Sequence, residues 1–192
     1  MKNFLKIFSV LIYLFCLNLF SEEIKIFQGR EGKSDWDVVI LKNAIDGSIS
    51  VCEEKEFSRE DNPSLKLTYK LSDKTEYNVV DYRKKIKNKD FSKMKSISIW
   101  IYGNKDEKTY LQLGLRCSET GYFVVDIGFM DWSGWKKFEF QKSKFEFVGN
   151  FADWENIEYL FIRANGDISA SKGQIYKEIG GSFYIEEISV TQ

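Results

Sequence analysis

The sequence predicts an all-β fold, a two-sheet antiparallel β-sandwich of the jelly-roll, galactose-binding-domain-like kind. Three observations predict it. Segment after segment alternates apolar and polar residues with a period of two, the spacing that puts side chains of a strand on one face. Turn-forming pairs such as Asn62-Pro63, Gly103-Asn104 and Ser133-Gly134 interrupt these segments at short intervals. No long stretch carries the 3.6-residue period of an amphipathic helix. Many short strands with regular turns bury their apolar faces by stacking two sheets.

The N-terminus stands apart from that fold. Lys2 and Lys6 precede an apolar run over 7–17, and polar residues resume at Ser21. This is the layout of a secretory signal peptide over 1–21, which leaves 22–192 as a single β-sandwich domain. Two other readings stay open, an uncleaved anchor and a lipid attached to Cys16, although Phe15 stands where lipoprotein signals carry a small residue.

The clearest strand is Ser64–Leu71, with Leu65, Leu67, Tyr69 and Leu71 on one side and Lys66, Thr68 and Lys70 on the other. Ser96–Tyr102 follows with Ile97, Ile99 and Ile101 in phase, then Tyr110–Cys117 with its leucines, then Gly121–Phe129 with Phe123, Val125, Ile127 and Phe129. Lys136–Phe140, Ile157–Ala164 and Ser182–Val190 complete this set. Ile24–Gln28, Trp36–Leu41, Gly47–Glu53 and Glu76–Ile86 carry the pattern less sharply. Asp46-Gly47, Glu119-Thr120-Gly121, Asn165-Gly166 and Gly180-Gly181 read as further turns, and 167–181 as an excursion before the last strand. Around Ser133-Gly134, Trp132 reads as a cap on the end of the sandwich and Trp135 as the start of a strand.

Composition excludes much chemistry. Histidine is absent, which removes serine–histidine and cysteine–histidine catalysis and any imidazole-based zinc site. The 28 basic and 29 acidic residues are interspersed, so no clustered positive field invites nucleic acid. Cys52 and Cys117 are read either as a disulfide formed after export or as small buried apolar residues. A glycosidase needs two carboxylates set at a defined separation, and nothing in the sequence pairs any two; Asp126 is the acid best placed to test. A non-enzymatic role is expected.

If the in-phase aliphatic residues form the core, the opposite phase faces outward. On three consecutive strands it reads Trp100 and Tyr102, then Tyr110, Gln112 and Arg116, then Tyr122, Val124 and Asp126. Aromatic rings suit the apolar face of a pyranose, and Gln, Arg and Asp bond its hydroxyls. Trp100, Tyr102, Gln112, Arg116, Tyr122 and Asp126 are therefore the expected ligand-binding residues. Gly114 would leave room in their midst, and Arg163 joins from the neighbouring segment if its phase allows. The same row reads equally as a surface covered by a loop or by another protein.

The ordered run KSISIWIYGN (95–104), DWSGWKKFEF (131–140), DWENIEYLFI (153–162) and GSFYIEEISV (181–190), with SLKLTYKL before it, resembles the galactose-binding-domain-like jelly rolls of bacterial carbohydrate-binding modules, particularly those of family 11. The resemblance implies an exported, non-catalytic saccharide-binding module of the periplasm or extracellular space, with no cofactor required. It also implies a structural calcium ion near the ends of the first and last strands, for which Glu23 and Glu186 are the candidate ligands and a pair of solvated glutamates the alternative. KSISIWIYG, Gly134-Trp135-Lys136 and GGSFYIEEISV are similar to the spirochaete flagellar filament outer layer protein as well. That second resemblance implies a structural subunit whose partner is an envelope or filament protein.

Overall fold

The computed structural model describes residues 22–72, 78–87, 90–107, 109–118, 121–166 and 179–192. The expected signal peptide, the Glu119-Thr120 part of one predicted turn and residues 167–178 of the predicted excursion lie outside the described residues. Twelve strands run through the described residues: β1 (Glu23–Gln28), β2 (Trp36–Lys42), β3 (Ala44–Cys52), β4 (Ser64–Leu71), β5 (Asn78–Lys85), β6 (Ser96–Gly103), β7 (Tyr110–Ser118), β8 (Gly121–Phe129), β9 (Gly134–Gln141), β10 (Glu146–Gly149), β11 (Tyr159–Asn165) and β12 (Ile179–Thr191). They form two antiparallel six-stranded sheets. Sheet 1 runs β3-β4-β12-β6-β9, with β1 also on β12; sheet 2 runs β10-β8-β7-β11-β5-β2. This is the predicted jelly-roll sandwich.

The alternating residues meet between the sheets. Leu65, Leu67, Ile97, Ile99, Ile101, Phe183 and Ile185 of sheet 1 face Tyr82, Leu111, Leu113, Leu115 and Ile162 of sheet 2, and all are fully buried. Each large apolar side chain so buried contributes about 1.5–3 kcal/mol, which is why the two-residue period outweighs any local preference. The long strand β12 serves two partners along one side. Ile179–Ile185 pair with β4, and Glu187–Thr191 pair with β1. A register shift between Ile185 and Ile188 lets Ile185 and then Ile188 both point inward, a change of phase already written in the order Ile-Glu-Glu-Ile.

Several local expectations are corrected. Asp46-Gly47 is not a turn but lies inside β3, beside a bulge between Ala44 and Asp46. There the Gly47 amide donates to Asp46 Oδ1 at 2.8 Å, which mimics a turn locally while the strand continues. Gly180-Gly181 lies inside β12, opposite Lys70 and Tyr69. Strand β10 went unpredicted because its four residues are all exposed and show no alternation. Cys52 and Cys117 are buried free thiols, Cys52 in sheet 1 and Cys117 in sheet 2. Cys117 Sγ donates to the Gly121 carbonyl at 3.3 Å.

The Trp132–Trp135 corner is explained by its backbone. Gly134 has φ of +87°, a conformation that favours glycine, and this lets the chain enter β9 at once. Trp132 turns inward, packs on Phe138 at 4.8 Å and covers Gly103, where a Cβ would come 2.7 Å from its indole nitrogen. Trp135 turns outward and meets Tyr102 edge to face at 5.7 Å.

Candidate functional site

The predicted surface divides between two faces. Trp100 and Tyr102 lie on β6 in sheet 1, whereas Gln112, Arg116, Tyr122 and Asp126 lie on β7 and β8 in sheet 2. Consecutive strands pair more often than not, but here the chain crosses to the other sheet between β6 and β7. The Trp100 and Tyr102 part is also partly overlaid. The Arg59 guanidinium lies 4.3 Å above the Trp100 ring, and Phe57 meets Tyr102 edge to face at 5.1 Å. Both come from the connection between β3 and β4, so the loop-covered reading describes Trp100, while Tyr102 is flanked by Phe57 and keeps an open side.

The expected metal ligands do not converge. Glu23 stands opposite Thr191 in register and accepts a hydrogen bond from Ser189 Oγ at 2.7 Å. Glu186 is buried, and its carboxylate already holds Arg59 Nε at 2.6 Å and Asn62 Nδ2 at 3.2 Å. A guanidinium thus supplies the positive charge beside Glu186. Among the described residues no cluster of three or more Asp, Glu, Cys or His side chains could hold a metal.

Gln112, Arg116, Tyr122 and Asp126 do come together, on the outer face of sheet 2, in ranks that cross four strands. The first rank reads Tyr122, Arg116, Tyr159 and Lys85. The second reads Val124, Gly114, Phe161 and Arg83, the third Asp126, Gln112, Arg163 and Asp81, and the fourth Phe129, Tyr110, Asn165 and Val79. Phe129 is a correction: a register shift between Leu111 and Gln112 takes it out of the inward phase of Phe123, Val125 and Ile127 and sets it against Tyr110. Two bonded groups run through the third rank and its neighbours. Gln112 Nε2 donates to Asp126 Oδ1 at 2.9 Å, and Asn165 Nδ2 donates to Gln112 Oε1 at 3.1 Å. Arg163 grips Asp81 through Nε at 2.7 Å and Nη2 at 3.1 Å, and Arg83 Nη2 adds a bond to the same carboxylate at 3.2 Å. Burial pushes the Tyr110 phenol pKa up, and the adjoining Asp126 carboxylate pushes it further. Tyr110 therefore stays a neutral hydroxyl across the physiological range.

Gly114 does not leave an open space. A Cβ there would fall 2.0 Å from Phe161 Cζ, so the Phe161 ring lies flat across the glycine. Tyr122 meets that ring edge to face at 5.5 Å, and the Arg163 guanidinium stands 4.9 Å from its centre. Bonding fixes the side chains in place, and a groove of about 440 Å³ runs beside them, lined by Gln112, Val124, Asp126, Lys144 and Glu146 among others. The arrangement offers rigid aromatic surface, fixed donors and acceptors, and two arginines held by one carboxylate.

Sequence reasoning left out Asp81, Arg83, Tyr159 and Phe161. Tyr159 and Phe161 belong to the same outward phase as Arg163, but Phe161 turns YLFIRAN into an almost unbroken apolar run and hides the alternation. The available signal was Leu160, Ile162 and Ala164 in phase, which fixes Arg163 outward.

No family model matches the sequence, and no curated protein matches it. Solved structures do. The family 11 carbohydrate-binding module of the cellulosomal cellulase Lic26A-Cel5E of Clostridium thermocellum superposes with a TM-score of 0.61 at 16% identity, covering 89% of this chain and 94% of that one. The Clostridium thermocellum family 11 module in complex with a β-1,3-1,4-mixed-linked tetrasaccharide gives 0.61 at 17% identity, over 88% and 94%. The module TmCBM61 in complex with β-1,4-galactotriose gives 0.51 at 13% identity, over 87% and 97%. The protein has the fold of these modules.

Proposed function

We propose that the protein is a non-catalytic, exported module that binds a neutral saccharide on the outer face of sheet 2. The observation that carries this reading is the juxtaposition of Tyr122, Arg116 and Tyr159 with the bonded rank Asp126, Gln112, Arg163 and Asp81. In this reading a pyranose lays its apolar face on an outward tyrosine and directs its hydroxyls to Arg116, Asp126 and Gln112. Asp81 holds Arg163 and Arg83 in place and answers one of their two charges from within. Two structural neighbours were solved with a β-1,3-1,4-mixed-linked tetrasaccharide and β-1,4-galactotriose, which supports a neutral oligosaccharide as ligand. The basic and apolar 1–21 segment supports export. A glycan array tests the proposal: the protein should retain neutral oligosaccharides, and the Tyr122→Ala, Tyr159→Ala double variant should lose them. Equal retention by both proteins would reject the face.

A second reading, a subunit of an envelope or filament sheath, is favoured by one observation. Edge strand β10 exposes Phe147 and Val148, and Phe151 just beyond it is 64% exposed, so an apolar strip adjoins an open sheet edge. Concentration-dependent assembly in sedimentation, abolished by Phe147→Lys and Phe151→Lys, would support it; a monomer at every concentration would count against it.

A further inference from the structure

A second groove, of about 330 Å³, opens on the sheet 1 side, where the β6–β7 connection approaches β12. Its lining includes Glu56, Phe57, Tyr102, Asn104, Glu107 and Tyr184. The three rings form one cluster. Phe57 stacks on Tyr184 at 4.1 Å with the planes 3° apart, and Tyr102 meets both edge to face at 5.1 and 5.7 Å. Two carboxylates border them. Glu107 Oε2 accepts bonds from the Ser182 amide at 2.6 Å and the Tyr69 hydroxyl at 3.4 Å, while among the described residues nothing bonds its Oε1. Burial pushes the Glu107 pKa up, although the Ser182 and Tyr69 bonds and the Lys66 charge oppose this. Glu56 is exposed at the mouth and has no ion-pair partner among the described residues. Among the described residues no lysine or arginine lines the groove.

Aromatic rings beside two carboxylates, with no cation among the described lining residues, select for positive charge. The cluster already receives one ammonium at its margin, since Lys66 Nζ stands 5.7 Å from the centre of the Tyr184 ring. The volume suits one sugar ring and is small for a protein interface. We infer that this groove is a second binding site, for a protonated amino-sugar unit of a cationic glycan. The ammonium lies between Glu107 Oε1 and Glu56, and the sugar ring rests against Tyr102, whose hydroxyl and that of Tyr184 bond its alcohol groups. The site shares no residue with the sheet 2 face, so the two stand or fall separately.

Calorimetric titration of the full chain with a β-1,4-linked glucosamine trimer, and with its fully N-acetylated counterpart, tests the inference. The free amine should bind about tenfold or more tightly than the acetylated form. Glu56→Gln and Glu107→Gln should each weaken binding, and together abolish the preference for the free amine. Glu56 is exposed, so Glu56→Gln keeps the test valid if Glu107→Gln fails to fold. Tyr122→Ala, on the other sheet, should leave glucosamine binding unchanged. Equal affinity for the two trimers, no binding of either, or indifference to Glu56→Gln would overturn the inference. Tighter binding of a lysine-rich peptide than of the glucosamine trimer would overturn it too, in favour of a protein ligand.

Discussion

Arg163 holds Asp81 through two parallel bonds of 2.7 and 3.1 Å on the outer face of sheet 2, and Asp81 is only 1% exposed. A carboxylate so enclosed on the outside of a sandwich is costly unless its charge is answered, and Arg163 and Arg83 answer it. Together they hold the aromatic and polar groups beside them in position.

Removing Asp81 leaves both guanidinium groups unanswered at a crowded surface. Asp81→Asn should therefore destabilise the fold by about 3 kcal/mol, read from urea unfolding. A loss below about 1 kcal/mol would mean that the pair is as weak as an exposed one.

Gly114 and Phe161 should behave as a coupled pair. Gly114→Ala drives a methyl group into the Phe161 ring and should cost about 1–3 kcal/mol. In a Phe161→Leu background the same change should cost much less. Equal cost in both backgrounds would place the ring elsewhere.

Glu186 leads to a prediction about calcium. Its carboxylate is taken by Arg59 and Asn62, so neither added calcium nor a chelator should move the thermal midpoint. Arg59→Met, which leaves Glu186 buried and unpaired, should destabilise by about 3 kcal/mol, and adding Glu186→Gln should recover much of the loss. A calcium-dependent midpoint would contradict this account of the β12 bulge.

The pH dependence follows from Glu107. Burial raises its carboxyl pKa in the folded protein above the ordinary value of 4.5. A raised acid contributes stability that is fully present below that ordinary value and is lost as pH rises through the folded value. Glu107→Gln lacks this titration, so the stability of the variant relative to the parent should increase from pH 4 to pH 7. A flat difference over that interval would show the group to be unperturbed.

Much of this was legible in the sequence, and the failures have physical causes. The inward phase of β4, β6, β7 and most of β8 could be read because aliphatic and aromatic residues keep to one side while polar ones alternate with them; Phe129 escaped because the register shift in β8 leaves no mark in the pattern. The assignment of strands to sheets could not, since Trp100 and Gln112 show the same outward alternation whichever sheet carries them. Four members of the face thus fell together, while Trp100 and Tyr102 fell on the far side beside Arg59 and Phe57. Asp81 was hidden for another reason. In NVVDYRKK an acid between valines and a tyrosine reads as a polar position, and only its pairing opposite Arg163 across β5 and β11 gives it a role.

The most direct test of the account is a titration of the isotope-labelled chain with a neutral β-1,3-1,4-linked gluco-oligosaccharide, followed by amide chemical shifts. The account predicts saturable shifts on β7, β8 and β11 around Tyr122, Arg116 and Arg163, lost in Tyr122→Ala and retained in Trp100→Ala. Shifts confined to β6 around Trp100, or none with any neutral oligosaccharide, would contradict it.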